Sequence, residues 1–316
     1  MDERNRDTAD RDSMANASAD PESDATLPEK PANAASDIHA TQRLPDVLGA
    51  PGQPRRLSYG YSRDIGMVRS NNEDSTLAFL SSQNNTQNNP DFGVFIVADG
   101  AGGHEDGEQA SMLASRIVMD LVSQRIFLPM LLRHIETDTE PIPPLAEVLA
   151  EAVQTADARL RSEVPGGGTT LTAAVVIGDL VHIAHVGDSR AYLISGGGGE
   201  PPRISQLTRD HSVAKRLEEI GQITADEAAH HPEVSRLWKM LGLSDNLEPD
   251  INTRRLPAGS WLLLCSDGLW NMVSDSEIAA IVTGATTPQE AADRLVLTAN
   301  TYGGLDNISV IVVRVP

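Results

Sequence analysis

The sequence predicts an α+β layered domain, and three observations carry that expectation. Short Val- and Ile-rich runs end in Gly or Asp, two of them lie too close together for a crossover helix, and three longer stretches have helical period. The runs are 92–98, 171–177, 180–186, 191–194, 261–264 and 308–315, each of the length and composition of a buried strand. So few residues separate 180–186 from 191–194 that neighbouring strands there are antiparallel. One helix starts after Pro143-Pro144, with its apolar stripe at Leu145, Val148, Leu149, Ala152, Val153, Ala156 and Leu160. A long helix is expected from about 108 to 132. Thr287-Pro288-Gln289-Glu290 has the form of a capping box and opens a helix toward Thr301, and Ser274-Asp275-Ser276-Glu277 gives the same signal for a shorter one. An Asn/Gln-rich loop at 81–90, a turn at 196–199 and a polar, helix-prone excursion at 210–256 punctuate the pattern, and no internal repeat stands out.

Composition bounds what such a domain can do. Up to Arg56 the chain has six prolines, many Ala, Ser and Asp and almost no aromatic side chain. Residues 1–56 therefore have too little apolar surface to offset the entropy of ordering and are expected to be a disordered tail. Residues 57–316 are long enough to bury a sizeable core. The net charge of −20 argues against a nucleic-acid groove or an anionic membrane as the main partner. Instead it suits a protein that gathers carboxylates to hold cations. A single Cys265 excludes a disulfide framework and a Cys-based zinc site, and points to a reducing cytoplasm. The start Met1-Asp2-Glu3-Arg4 has no apolar leader and no spanning stretch follows, so no membrane association is expected.

Four acids occupy similar local positions. Asp99 and Asp267 each end an apolar run and precede a Gly, Asp188 follows Ala-His-Val-Gly, and Asp306 precedes the last run. A fifth acidic pair, Glu73-Asp74, follows Arg69-Ser70-Asn71-Asn72. Taken singly, an Asp-Gly at a strand end is a turn. Four acids beside apolar strands in one domain are another matter, because an unpaired carboxylate near a core is costly. The chain has only Lys30, Lys215 and Lys239 as lysines, so bound cations would resolve the repulsion. Oxygen donors without Cys or a His-x-x-x-His pair favour Mg²⁺ or Mn²⁺ over Zn²⁺. Two such ions about 4 Å apart would share a water of lowered pKa and neutralise a phosphoryl group.

The order and spelling of these segments resemble the metal-dependent protein phosphatase family (PPM, or PP2C) in its bacterial branch. Seven segments carry the resemblance: 64–74, 97–108, 168–170, 186–193, 207–212, 263–269 and 304–309, with Asp-Ile-Gly-Met-Val-Arg-Ser-Asn-Asn-Glu-Asp as the first. It spans about 58–315 and implies a phosphatase domain at 57–316 with a flap at about 211–256. The implied fold is a four-layer αββα sandwich, two antiparallel sheets between pairs of helices, with a two-metal centre at one end. By position, Asp99 would bridge two ions, the Gly100 carbonyl would bind one, and Asp267 and Asp306 would complete the set. Some bacterial members bind a third ion, for which the matching positions are Asp188 and Asp267. Glu73 and Asp74 would orient metal-bound waters, and Arg69 matches the phosphate-binding arginine, whose fork suits a phosphate dianion. The implied reaction is hydrolysis of phosphoserine or phosphothreonine by an activated water, with no phosphoenzyme. The partners would be phosphoproteins and a cognate bacterial kinase, and the protein would act as a monomer.

The chain departs from the family at two places. Ala101 stands where many members have Met or a proposed acid, His, so it cannot protonate the leaving group, and His104 nearby reads as structural. Val234-Ser235 in the flap replaces a frequent Arg-Asn. Other hydrolase chemistries fit poorly. The Cys-x5-Arg loop is absent because Asn271 stands where the arginine would be, and neither a Gly-x-Ser-x-Gly elbow nor a Walker-type loop occurs. Ser189 reads as a turn residue, and Arg190 as a support of the acids. The competing class is a catalytically silent module that binds phosphoproteins. That reading is disfavoured because Asp99, Asp267, Asp306 and Arg69 are all present.

Overall fold

The computed structural model describes residues 56–82, 90–103, 105–132, 141–229, 233, 236–244 and 246–316. The expectations for the tail up to 55, for most of the 81–90 loop, for His104 and for Val234-Ser235 lie outside the described residues.

Along the chain, β1 (Ser58–Asp64), β2 (Asp74–Ser81) and β3 (Phe92–Ala101) precede α1 (Glu105–Val122). That helix passes through a π turn, Ser123–Phe127, into α2 (Leu128–Leu132). Pro129 explains the widened turn, since its ring would meet a carbonyl of the preceding turn. Next come α3 (Leu145–Glu163), β4 (Gly168–Thr169), β5 (Leu171–Ile177), β6 (Leu180–Val186), β7 (Arg190–Gly197) and β8 (Glu200–Gln206). Two short helices, α4 (Val213–Glu219) and α5 (Ala225–Ala229), lead to β9 (Asp250–Arg255) and β10 (Trp261–Cys265). The chain ends with α6 (Asp267–Trp270), α7 (Asp275–Gly284), α8 (Pro288–Thr301) and β11 (Ile308–Arg314).

The strands form two antiparallel sheets, ordered β1-β11-β10-β7-β8 and β2-β3-β5-β6-β9, with β4 paired to β3. Alternate residues of the central strands enter different cores. Val94, Ile96 and Ala98 of β3 pack with Ala110, Ala114 and Val118 of α1 and Val148 and Leu149 of α3. Phe95 and Val97 face the other way and meet Leu262 and Leu264 of β10 and Ile311 and Val313 of β11. Leu263, Val310 and Val312 in turn pack on Ile278 of α7 and on Ala292 and Leu295 of α8. Three apolar interfaces thus separate four layers, helix, sheet, sheet, helix, as expected. Burial on both faces is why these strands read as unbroken apolar runs.

Pairing registers bring the acids to one end. Asp74 lies opposite Asp99 across β2 and β3, and Cys265, just before Asp267, lies opposite Arg190, just after Asp188. Asp64 lies opposite Ile308, two residues after Asp306. One boundary differs from expectation. The excursion read at 210–256 ends earlier, because 250–255 pair with β6 as the edge strand β9. Asp-Ile-Asn-Thr-Arg-Arg reads as loop because an edge strand with one solvated face needs few apolar residues.

Candidate metal centre

The centre is built where chain segments approach more closely than any side chain allows. A Cβ on Gly100 would lie 2.1 Å from the carbonyl oxygen of Gly107, and one on Gly107 would lie 2.2 Å from Oε2 of Glu73. The start of α1 therefore packs onto the end of β3 with the Glu73 side chain beside it. The Glu73 carbonyl accepts from the Gly100 N–H (3.2 Å) and the Ser111 hydroxyl (2.6 Å). Backbone groups of Asp99 are held from the other side: its N–H donates to Thr170 Oγ1 (2.9 Å), and its carbonyl accepts from the Thr170 N–H (2.8 Å) and Thr169 Oγ1 (2.9 Å).

Asn307 ties the remaining loops together. Its Oδ1 accepts from the Glu73 N–H (2.7 Å), and its Nδ2 donates to the carbonyls of Ile65 and Asn71 (both 2.9 Å). Ser266 donates to Asp74 Oδ2 (2.8 Å) and accepts from the Ser309 N–H (2.9 Å). Sequence reasoning assigned no role to Asn307, Ser266 or Thr170. Their only signal was a polar residue beside an apolar strand, and each acts on segments distant along the chain.

Asp74, Asp99, Asp188, Asp267 and Asp306 share one electrostatic environment. Burial pushes the Asp99 carboxyl well above the usual carboxylate range, and repulsion from Asp74, Asp267, Asp188 and Asp306 adds to it. Burial raises Asp74 to about 7, with Asp267 and Asp306 adding and the Ser266 hydrogen bond opposing. Asp267 rises to about 6, through burial and then Asp306. Asp188 is raised well above its ordinary value by burial, then by Asp267 and Asp210. Among the described residues the buried oxygens Asp74 Oδ1 and Asp267 Oδ1 have no hydrogen-bond partner.

Arg69 reaches across the loops to Asp306, Nη2 to Oδ2 at 2.5 Å, with over half of its side chain still in solvent. Among the described residues no three His, Cys, Asp or Glu side chains stand together at metal-ligand spacing. The donor chemistry nevertheless fits a hard divalent cation: all-oxygen, acidic, mutually repelling, and with two buried oxygens that nothing else satisfies. Asp99, Asp267 and Asp306 could hold such an ion, and the charge of Asp188 acts on both Asp99 and Asp267.

Two further networks support this end of the molecule. Arg190 forks onto Asp210 (Nε 3.1 Å, Nη2 2.6 Å), donates to the Tyr192 hydroxyl and stacks 3.6 Å over the Trp270 ring. Trp270 Nε1 donates to the Asp188 carbonyl (3.0 Å), so Arg190 braces the acids. In the excursion after β8, His211 Nδ1 accepts from the Gly187 N–H (3.0 Å), and its Nε2 lies 3.2 Å from Asp250, which also pairs with Lys239. A cavity of about 290 Å³ lies apart from the acids, beside β6 and β9, lined by His185, Arg209, Asp250 and Asn252 among others. It contains none of the candidate residues.

A family model described as Protein phosphatase 2C matches residues 70–297. The chain is 37% identical over 254 residues to the serine/threonine phosphatase stp of Listeria monocytogenes, covering 80% of this chain and 94% of that protein. The solved serine/threonine phosphatase of S. agalactiae is 32% identical with a TM-score of 0.68, covering 82% of this chain and all of that one. A catalytic domain of the serine/threonine protein phosphatase PstP, solved with two manganese ions, is 32% identical with a TM-score of 0.63, over 82% of this chain and 99% of that one.

Proposed function

The chain belongs to the protein phosphatase 2C family, and on that premise we propose how its acidic centre hydrolyses phosphoserine and phosphothreonine esters of proteins. The enzyme is a metal-dependent serine/threonine phosphatase. Asp99, Asp267 and Asp306, with the Gly100 carbonyl, would hold two Mn²⁺ or Mg²⁺ ions, and Asp188 with Asp267 a third. Bound there, divalent cations supply a water of lowered pKa and offset the charge of the phosphoryl oxygens.

The chain's own residues do the rest. Arg69 is a half-exposed guanidinium on a loop, and its fork can leave Asp306 for a phosphate dianion, making two charge-assisted hydrogen bonds at once. Asp74 Oδ1, buried and unpartnered, accepts a hydrogen bond from a water in the centre and so orients it, with Glu73 beside it on the same turn. Ala101 offers no proton, so the leaving alkoxide takes one from water. The observation that carries this reading is the cluster of Asp74, Asp99, Asp188, Asp267 and Asp306, the first four raised above the usual carboxylate range by burial and then by neighbouring acids, with Arg69 joined to Asp306 at its edge.

A cognate kinase that phosphorylates the same proteins, and action as a monomer, complete the proposal. No helix among the described residues is long and apolar enough to cross a membrane. Release of phosphate from phosphothreonine peptides and from p-nitrophenyl phosphate in millimolar Mn²⁺ tests it. Asp99→Asn and Asp267→Asn are expected to lose orders of magnitude in kcat with the fold retained. Arg69→Ala should chiefly raise KM. Wild-type protein without turnover would instead favour the silent phosphoprotein-binding module, and near-normal Asp99→Asn activity would refute the centre.

A further inference from the structure

Beside Arg69 the surface turns apolar. Met67 is 69% exposed, the most exposed large apolar side chain among the described residues, and Val68 (65%) and Leu305 (57%) are close behind. Single exposed apolar residues need no explanation, but these three lie on two loops stitched together. The Met67 N–H donates to the Gly304 carbonyl (2.7 Å), and a Cβ on Gly304 would lie 3.0 Å from Met67 Cγ. A Cβ on Gly66 would lie 2.3 Å from the Asp306 carbonyl oxygen. Val68 directly precedes Arg69, Leu305 directly precedes Asp306, and Arg69 and Asp306 are themselves joined.

We propose that Met67, Val68 and Leu305 form a lip that receives an apolar side chain adjacent to the phosphorylated residue of the substrate protein. The inference rests on the reading of Arg69 as the phosphate-binding residue. A phosphoresidue held there fixes its neighbours, because consecutive Cα atoms lie about 3.8 Å apart. The side chain of an adjacent residue is thereby kept within a few ångströms of the residues next to Arg69 and Asp306. Three side chains are far too few for a second copy of the chain, since a stable protein interface takes about 800 Å² from each partner. They match the size of one Leu, Ile, Val or Met.

The test compares two phosphothreonine peptides that differ only in the residues flanking the phosphothreonine, Leu in one and Ser in the other, with phosphate release followed in millimolar Mn²⁺. Wild-type protein is expected to favour the Leu peptide by about fivefold or more in kcat/KM. Met67→Ser and Leu305→Ser, checked for intact secondary structure, are each expected to bring that ratio toward one. Equal use of both peptides by wild type, preference for the Ser peptide, or an unchanged ratio in both variants would overturn the lip while leaving the phosphatase reading in place. No release from either peptide would overturn both.

Discussion

At the scale of single residues, His185 shows how a buried group outside the reacting centre leaves its mark on pH behaviour. Its ring is enclosed, with Nε2–H donating to the Arg209 carbonyl and Nδ1 against the Thr172 hydroxyl (both 3.0 Å), and His211 lies 4.9 Å away. Burial, reinforced by His211, pushes it down to about 4. Between about pH 6.5 and 4 the unfolded chain binds a proton at this position that the folded chain does not, so this contribution weakens as pH falls. The raised carboxylates of the metal-free centre have the opposite sign: folded Asp74 and Asp267 bind protons that the unfolded chain has released, which favours the fold as pH falls. Comparing wild type with His185→Gln cancels those terms. By urea unfolding in EDTA, the stability advantage of wild type should shrink by about 2 kcal/mol from pH 7.5 to pH 5, and a constant gap would contradict the assignment. Residue-scale chemistry was also where the sequence was least legible. The acids stood out because each abuts an apolar strand, whereas Asn307 looks like any turn asparagine until its amide is seen joining residues 65, 71 and 73.

At the scale of elements, legibility followed burial. All six strands read from the sequence have both faces or nearly all residues covered, and the four longer strands not read, β1, β2, β8 and β9, are the edges of the two sheets. An edge strand has a solvated side and its pattern dilutes, and β8 carries Pro201 and Pro202, which a central strand would not tolerate. Edge β1 is protected by a side chain: Gln289 accepts from the Tyr61 N–H (3.2 Å) and donates to its carbonyl (2.8 Å), taking the place of a neighbouring strand. Gln289 is held there by the start of α8, where the predicted cap forms. Thr287 accepts from the Glu290 N–H (3.1 Å), and Glu290 accepts from the N–H of Thr286, one residue before the cap itself. Thr287→Ala should therefore cost about 1 kcal/mol in urea unfolding. It should also raise hydrogen exchange of amides in β1 along with those in α8. Exchange confined to the helix would mean that the edge does not depend on the cap.

Over the whole molecule, the sandwich works as a frame that forces like charges together, and its stability should depend on what relieves them. The two sheets are fastened by an apolar interface of fully buried Phe95, Val97, Leu262, Leu264 and Ile311, while one end brings together carboxylates from β2, β3, the β6–β7 loop, the start of α6 and the residue pair before β11. A chain of net charge −20 cannot spread that repulsion elsewhere. Cations that bind the folded centre and not the unfolded chain stabilise by mass action, about 2.7 kcal/mol at a hundredfold excess over Kd, which for a domain of this size is a Tm increase of about 5–10 °C. The same linkage makes one substitution change sign. In EDTA, Asp267→Asn removes a buried, repelled carboxylate and should unfold at or above the wild-type temperature. In Mn²⁺ it lacks a ligand and should fall below wild type, because only wild type gains the full increment. Calorimetry of both proteins with and without Mn²⁺ decides the matter. An equal Mn²⁺ increment in the two proteins would mean that the ion binds elsewhere, and no increment in wild type would mean that the clustered acids do not hold it.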